Sequence, residues 1–167
     1  MKPAIALIMP ARLLASQSSS TLSLSKSDAK YVTKSAQGLM SELKLGALAQ
    51  EGAGYQRVKD FGKQMVTEHG KDVQEMKGLA AQKQVQLPQS MNEDQRKGAE
   101  KHSKLPGKAV DREYVKYEVE DRRENIKDQK EQMTKMADPD LKHFAGKGLE
   151  TVTGHKQKID ALQAEVK

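Results

Sequence analysis

Apolar residues recur at steps of three and four along most of this chain, which is the spacing that one face of an α-helix produces. Four long segments share the pattern, at residues 28–51, 55–86, 109–137 and from 139 almost to the C terminus. The sequence contains no run of strictly alternating apolar and polar residues of the kind that forms a strand. It therefore predicts an all-α protein with four long helices.

The connections between these segments indicate how the helices pair. Gly52 and Gly54 can end the first helix and form a short turn. The stretch "ADPD" at 137–140 makes a second tight turn, with Asp138 as N-cap and Pro139 at the first helical position. Between them, residues 87–109 carry prolines and glycines and leave room for a short helix at 92–104. We expect two helical hairpins joined by a long connection, a four-helix bundle formed by residues 28–167.

Ionisable residues lie in or beside the inward-facing apolar row of each long helix. They are Glu42, His69, Arg122 and His155. His69, Arg122 and His155 each lie about 15 or 16 residues from the nearest hairpin turn, which at about 1.5 Å per residue places them in one layer of the bundle. Because a buried charge without a partner is strongly unfavourable, these groups are expected to contact one another.

Two interpretations of this layer remain open at the level of sequence. In the first, the layer is a metal site, since imidazole and carboxylate ligands suit iron, zinc, manganese or copper. The candidate ligands are Glu42, Glu68, His69, Asp121 and His155, with Asp72 and Glu118 as neighbouring carboxylates. In the second, Arg122 takes a salt bridge from Glu42 or Asp72 and the layer holds no cofactor. A permanent cation at Arg122 repels a metal ion and favours the second interpretation.

Residues 1–27 have the pattern of a leader followed by a Ser-rich linker. Lys2 precedes an apolar run at 3–9, and small residues follow at Ala15 and Ser16, which is the order of a secretory signal peptide. The apolar run is too short to span a bilayer as a helix. The stretch "LLAS" before Gln17 looks like a lipoprotein cleavage box that lacks its cysteine, so no lipid anchor is expected there. We expect export to the periplasm or cell envelope, without a transmembrane span.

Composition narrows the remaining function classes. Charged residues make up 31% of the 167 residues, with both signs interspersed, and the formal net charge is +6. No basic stripe is interleaved with aromatic residues, which argues against nucleic-acid binding. Outside the inward rows, His102 and His143 are expected to be solvated. No Ser/His/Asp or Cys/His arrangement indicates hydrolysis.

Residues 28–165 resemble a known family, domain of unknown function 4142, a ferritin-like family of bacterial envelope proteins. The matching stretches are "SELKLGALA" (41–49), "VKDFGKQMVTEHGKDVQEMKGLAAQKQVQLP" (58–88), "VDREYVKYEVEDRRE" (110–124) and "DPDLKHFAGKGLETVTGHKQKIDAL" (138–162). The resemblance implies an exported, ferritin-like four-helix bundle with polar core positions at Glu42, His69 and His155. Where the family commonly has an Asp-His pair, this chain has Asp121 followed by Arg122.

These observations predict an exported, non-catalytic envelope or stress-associated protein with a polar core layer centred on Arg122. One alternative is a metal-binding or metal-oxidising bundle that uses the ligand set named above. A weaker alternative is an adaptor that binds anionic envelope polymers through its surplus lysines. The identity of an envelope partner and the oligomeric state are left open by the sequence.

Overall fold

Helices account for most of the described chain. The computed structural model describes residues 24–166, which contain α1 (Lys26–Gly52), α2 (Gln56–Gln82), α3 (Glu93–Ser103), α4 (Lys108–Lys135) and α5 (Pro139–Glu165). No strand occurs in this range. Helices α1 and α2 form one hairpin and α4 and α5 the other, while the short α3 lies in the connection. The structure confirms the predicted all-α bundle of two hairpins; the predicted leader lies outside the described residues.

Local capping explains where the helices of the second hairpin meet. The side chain of Asp138 accepts hydrogen bonds from the backbone N–H groups of Asp140 and Leu141, and Pro139 takes the first helical position. Both features match the prediction from "ADPD". In the connection between the two hairpins, Asn92 and Gln95 form a capping box that starts α3.

The second helix is shorter than predicted. The apolar pattern suggested an end near Gln86, just before Pro88, whereas α2 ends at Gln82. Gln84 has a φ of 55°, and the Val85 N–H donates to the Ala80 carbonyl at 2.9 Å, as in a Schellman motif. Because a glutamine instead of a glycine takes the left-handed position, the sequence contains no ordinary signal for this helix end.

The apolar core is divided into two clusters by a polar layer. One cluster, near the α1–α2 turn, includes Leu45, Ala49, Val58, Phe61, Met65, Val110, Tyr114, Val115, Ile159 and Leu162. The other, near the α4–α5 turn, includes Tyr31, Val32, Ala36, Met76, Met136, Leu141, Phe144 and Ala145. On each long helix, the ionisable residues identified from the sequence lie between the two clusters, so the layer is enclosed by apolar packing at both ends.

Helices α1 and α2 approach each other backbone to backbone at a pair of glycines. A Cβ added to Gly62 would lie 2.6 Å from the Gly46 carbonyl oxygen, and one added to Gly46 would lie 2.9 Å from the Gly62 carbonyl oxygen. Neither position has room for a methyl group unless the helices separate. The first hairpin therefore depends on glycine at both positions for its tight packing.

We expect Gly62→Ala to destabilise the protein by about 2 kcal/mol, because the new methyl group would push α1 and α2 apart. Gly70→Ala, on the same helix, is the matched control because nothing lies within 4 Å of its Cβ position. The control should gain about 0.5–1 kcal/mol from better helix propensity. Urea unfolding followed by circular dichroism measures both variants. Equal stability of the two would contradict the close approach.

Candidate functional site

Arg122 lies at the centre of the polar layer and is fully buried. Its Nη2 donates a hydrogen bond to Glu42 Oε2 and lies 2.7 Å from Glu118 Oε2. Its Nη1 donates to Asp121 Oδ2 at 2.9 Å. We call this group of four residues the ion network. It joins α1 of the first hairpin to α4 of the second.

Helical spacing accounts for the α4 part of the ion network. Glu118 and Arg122 are four residues apart and lie on the same inward face of α4. Asp121 lies beside that face, with its side chain 28% exposed. Glu42 comes from α1, where it is almost completely buried. Two of the three carboxylates are thus enclosed with Arg122, and the third lies toward solvent.

Burial and charge act in opposite directions on these groups. Burial alone would raise the pKa of Glu42, but Arg122 and His69 outweigh that effect, and the pKa lies below its usual value. Burial would lower the pKa of Arg122, yet the three carboxylates hold it well above its usual value. The Arg122–Glu42 pair is therefore an ion pair in the folded protein.

The other two carboxylates are held less firmly in the ionised form. Burial raises the pKa of Glu118 well above its usual value, by more than Arg122 lowers it, which favours the protonated acid. Burial also raises the pKa of Asp121 to about 6, and nearby Glu42 adds to this rise. At neutral pH Asp121 is mostly ionised.

Two histidines lie next to the ion network, each bound to a carboxylate. The Nδ1 atom of His69 lies 3.0 Å from Asp72 Oδ2, and the Nε2 atom of His155 lies 2.6 Å from Glu68 Oε2. Their ring centroids are 5.3 Å apart with the planes nearly perpendicular. Burial lowers the pKa of His155 to about 4, against the opposite effect of Glu68, so His155 is neutral and donates from Nε2.

Several polar atoms in this layer are buried and, within residues 24–166, have no hydrogen-bond partner. They are His69 Nε2, His155 Nδ1, Arg122 Nε, Ser41 Oγ and both carboxyl oxygens of Glu118. Because a carboxylate only accepts hydrogen bonds, the protons of His69 and His155 are on the nitrogens facing Asp72 and Glu68. Because His155 is neutral, its Nδ1 is consequently a free acceptor inside the bundle.

The structure brings together the four residues that the sequence placed in one layer. Glu42 contacts Arg122, and its Oε2 lies 3.8 Å from His69 Nε2. Of the other candidate metal ligands, Glu68 binds His155 and Asp121 binds Arg122. In the described range, no group of three or more His, Asp or Glu side chains is arranged to hold a metal ion.

Two residues differ from the prediction made from the sequence. Glu118 belongs to the ion network, and His102 is buried. The sequence predicts Glu118 only as a neighbouring carboxylate, but its spacing of four residues from Arg122 places both on the inward face of α4. The expectation that His102 is solvated is wrong. It is buried, its Nδ1 lies 2.9 Å from the Gly98 carbonyl oxygen, and its ring packs on Tyr117. The other non-layer histidine, His143, is exposed as predicted.

Fold and site together define a helical-bundle protein with a charged layer in its core. The profile of the family DUF4142, described as a domain of unknown function, matches residues 13–162, and the chain belongs to this family. A crystal structure of a DUF305 fragment from Deinococcus radiodurans is similar in fold, with a TM-score of 0.72 and 12% sequence identity. The similarity covers 85% of this chain and 98% of that one. No curated protein sequence matches the chain significantly.

We expect Arg122→Met to destabilise the protein by about 3–5 kcal/mol, because it leaves buried carboxylates without their counter-charge. Arg123→Met is the control, since Arg123 is exposed and its loss should change stability by less than about 0.5 kcal/mol. Adding Glu42→Gln to Arg122→Met should recover part of the loss by removing an uncompensated charge. Urea unfolding measures all three variants. Equal effects of the two arginine substitutions would argue against the ion network.

Proposed function

We propose that this protein is an exported, non-catalytic helical-bundle protein of the bacterial cell envelope, in which the ion network holds the two hairpins together. The observation that carries the proposal is the position of Arg122, a fully buried permanent cation in contact with three carboxylates. In a carboxylate-bearing bundle, a cation is needed where these side chains converge. Here a side chain of the protein supplies that positive charge.

Export is proposed from the residues that precede the bundle. Residues 1–27 have the cation, apolar run and small residues of a signal peptide in the right order. Among the helices that the structure describes, none combines the length and apolar character needed to cross a bilayer. A role in the envelope or in a stress response there is consistent with a charged, well-packed bundle that lacks an evident hydrolytic centre.

Metal binding is a second candidate function, favoured by the histidine geometry. Histidines that ligate metals usually donate their other ring N–H to a carboxylate, and both His69 and His155 have this arrangement. The two rings each have a buried nitrogen without a hydrogen-bond partner among the described residues, and imidazole is a ligand that suits iron, zinc, manganese or copper. Arg122 opposes a further positive charge in the same layer, so we place this function second.

Metal analysis of the full chain, purified without chelators, distinguishes the two functions. We expect no stoichiometric metal ion, because Arg122 already neutralises the carboxylates. His69→Ala and His143→Ala are the paired variants, one in the layer and one on the surface. A stoichiometric ion that is lost in His69→Ala and retained in His143→Ala would overturn the first proposal in favour of the second.

Cell fractionation tests the proposed location. We expect the full chain with a C-terminal tag, expressed in a bacterium, to appear in the periplasmic fraction with a mass that shows a shortened N terminus. A chain that starts at residue 28 is the control and should remain in the cytoplasm, because it lacks the leader. Retention of the full chain in the cytoplasm at its complete mass would refute export.

A further inference from the structure

Five basic side chains form a straight row on the outer face of α4, and all five are exposed. They are Arg112, Lys116, Arg123, Lys127 and Lys130. Successive members are four, seven, four and three residues apart, which places them within about 60° of one another around the helix axis. At about 1.5 Å per residue, the row is about 27 Å long. It lies away from the inward face that carries Glu118 and Arg122. We call these five residues the basic row.

The basic row has no counter-ions of its own. Between residues 24 and 166, no carboxylate forms an ion pair with any of its five members, and the surface carboxylates of α4 that are paired bind other cations. These pairs are Glu113–Lys101, Asp128–Lys34 and Glu131–Lys135. Two exposed glutamates, Glu120 and Glu124, lie beside the row. Five cations outnumber them, so the outer face of α4 keeps a net positive charge.

This arrangement is unfavourable for the isolated helix. Arg112 and Lys116 are four residues apart, as are Arg123 and Lys127, and like charges at that spacing on a helix repel each other. The Lys and Arg side chains of α3 are arranged differently, since each of them binds a glutamate. An anion bound along the basic row would replace the repulsion on α4 by attraction.

The shape and surroundings of the basic row indicate the kind of anion. A narrow, straight row suits an extended chain of negative groups better than a plane of lipid headgroups. Tyr55 is the one exposed large apolar side chain among residues 24–166, and it precedes α2, so the row lacks the apolar anchors of a membrane-surface helix. The row also contains no aromatic side chain on which a nucleic-acid base could stack.

We propose that the outer face of α4 binds a linear polyphosphate chain, extended along the basic row from Arg112 to Lys130. The guanidinium groups of Arg112 and Arg123 each bind phosphate oxygens through two N–H groups, and the three lysines supply single positive charges between and beyond them. This gives the binding of anionic polymers, the weaker alternative from the sequence, a defined surface. The inference depends neither on export nor on the metal question, because the row lies outside the ion network.

Isothermal titration of the full-length protein with inorganic polyphosphate long enough to span the basic row tests the proposal. We expect saturable binding that weakens steeply as the NaCl concentration rises, because binding releases counterions. Tripolyphosphate has the same chemistry but is too short to span the row, so it should bind at least about tenfold more weakly. Vesicles of phosphatidylglycerol present phosphate groups on a flat surface and should also bind more weakly at equal phosphate concentration.

Three outcomes of these titrations would overturn the proposal. The first is the absence of saturable polyphosphate binding, or binding that high salt does not weaken. The second is equal binding of tripolyphosphate, which would mean that the length of the row plays no part. The third is stronger binding to the vesicles, which would make the face of α4 a membrane-binding surface.

Two triple variants of equal charge locate the bound polymer. One removes three members of the basic row, with Arg123→Gln, Lys127→Gln and Lys130→Gln. The control removes three exposed lysines of α2 that also lack ion pairs in the described chain but lie eight and six residues apart, with Lys63→Gln, Lys71→Gln and Lys77→Gln. Both variants lower the net charge by three, and glutamine has a helix propensity close to that of lysine and arginine.

We expect the first variant to weaken polyphosphate binding at least about tenfold and to make its salt dependence shallower, since fewer counterions are released. The control should weaken binding by less than about threefold. Equal weakening in the two variants would mean that the polymer responds to net charge alone, and it would refute the basic row as the site.

Discussion

The structure depends on one electrostatic constraint, the complete burial of the Arg122 guanidinium in the middle of a four-helix bundle. Such a charge requires carboxylate partners within contact distance, and they come from both hairpins through Glu42 on α1 and Asp121 on α4. Apolar clusters lie above and below the guanidinium. The hairpins must therefore meet at a fixed height, because a shift of one helical turn would separate the charges. Buried ion pairs of this kind are better understood as specifying an arrangement than as adding net stability.

The same constraint shapes the chemistry of the layer. Arg122 keeps Glu42 ionised, yet it does not overcome the effect of burial on Glu118, whose pKa stays well above its usual value. One acid in contact with the guanidinium thus favours the protonated form while another is a full counter-ion. The two imidazoles remain beside this pair, oriented by Asp72 and Glu68 and not by the arginine. The layer is polar, and several of its buried polar atoms have no hydrogen-bond partner within residues 24–166.

The sequence predicted the fold well because its strongest signals are local. Apolar periodicity located all four long helices, and counting from the hairpin turns placed His69, Arg122 and His155 in one layer. It could not predict the end of α2 at Gln82, because Gln84 takes a backbone conformation that usually requires glycine. The contact between Gly46 and Gly62 was also unpredictable, since it depends on how two helices cross.

The side-chain contacts of the site depend on which residues the tertiary fold buries, so the sequence predicts only some of them. The sequence predicted a salt bridge to Arg122 from either Glu42 or Asp72, and in the structure Glu42 is the partner while Asp72 binds His69. It did not identify the role of Glu118, since a carboxylate four residues from an arginine is common on solvated helix faces as well. The burial of His102 could not be predicted for a related reason. Its burial comes from packing of α3 against Tyr117 on α4, which no pattern within α3 reveals.

The glycine contact between α1 and α2 has a consequence for how firmly different pairs of helices are joined. Backbones that touch at Gly46 and Gly62 make the first hairpin a stiff unit, since its helices cannot slide or spread without breaking that contact. The seam between α1 and α4 has no comparable glycine pair in the described chain. The first hairpin is thus held by backbone contact, whereas α1 and α4 are joined through side chains, among them the Arg122–Glu42 ion pair.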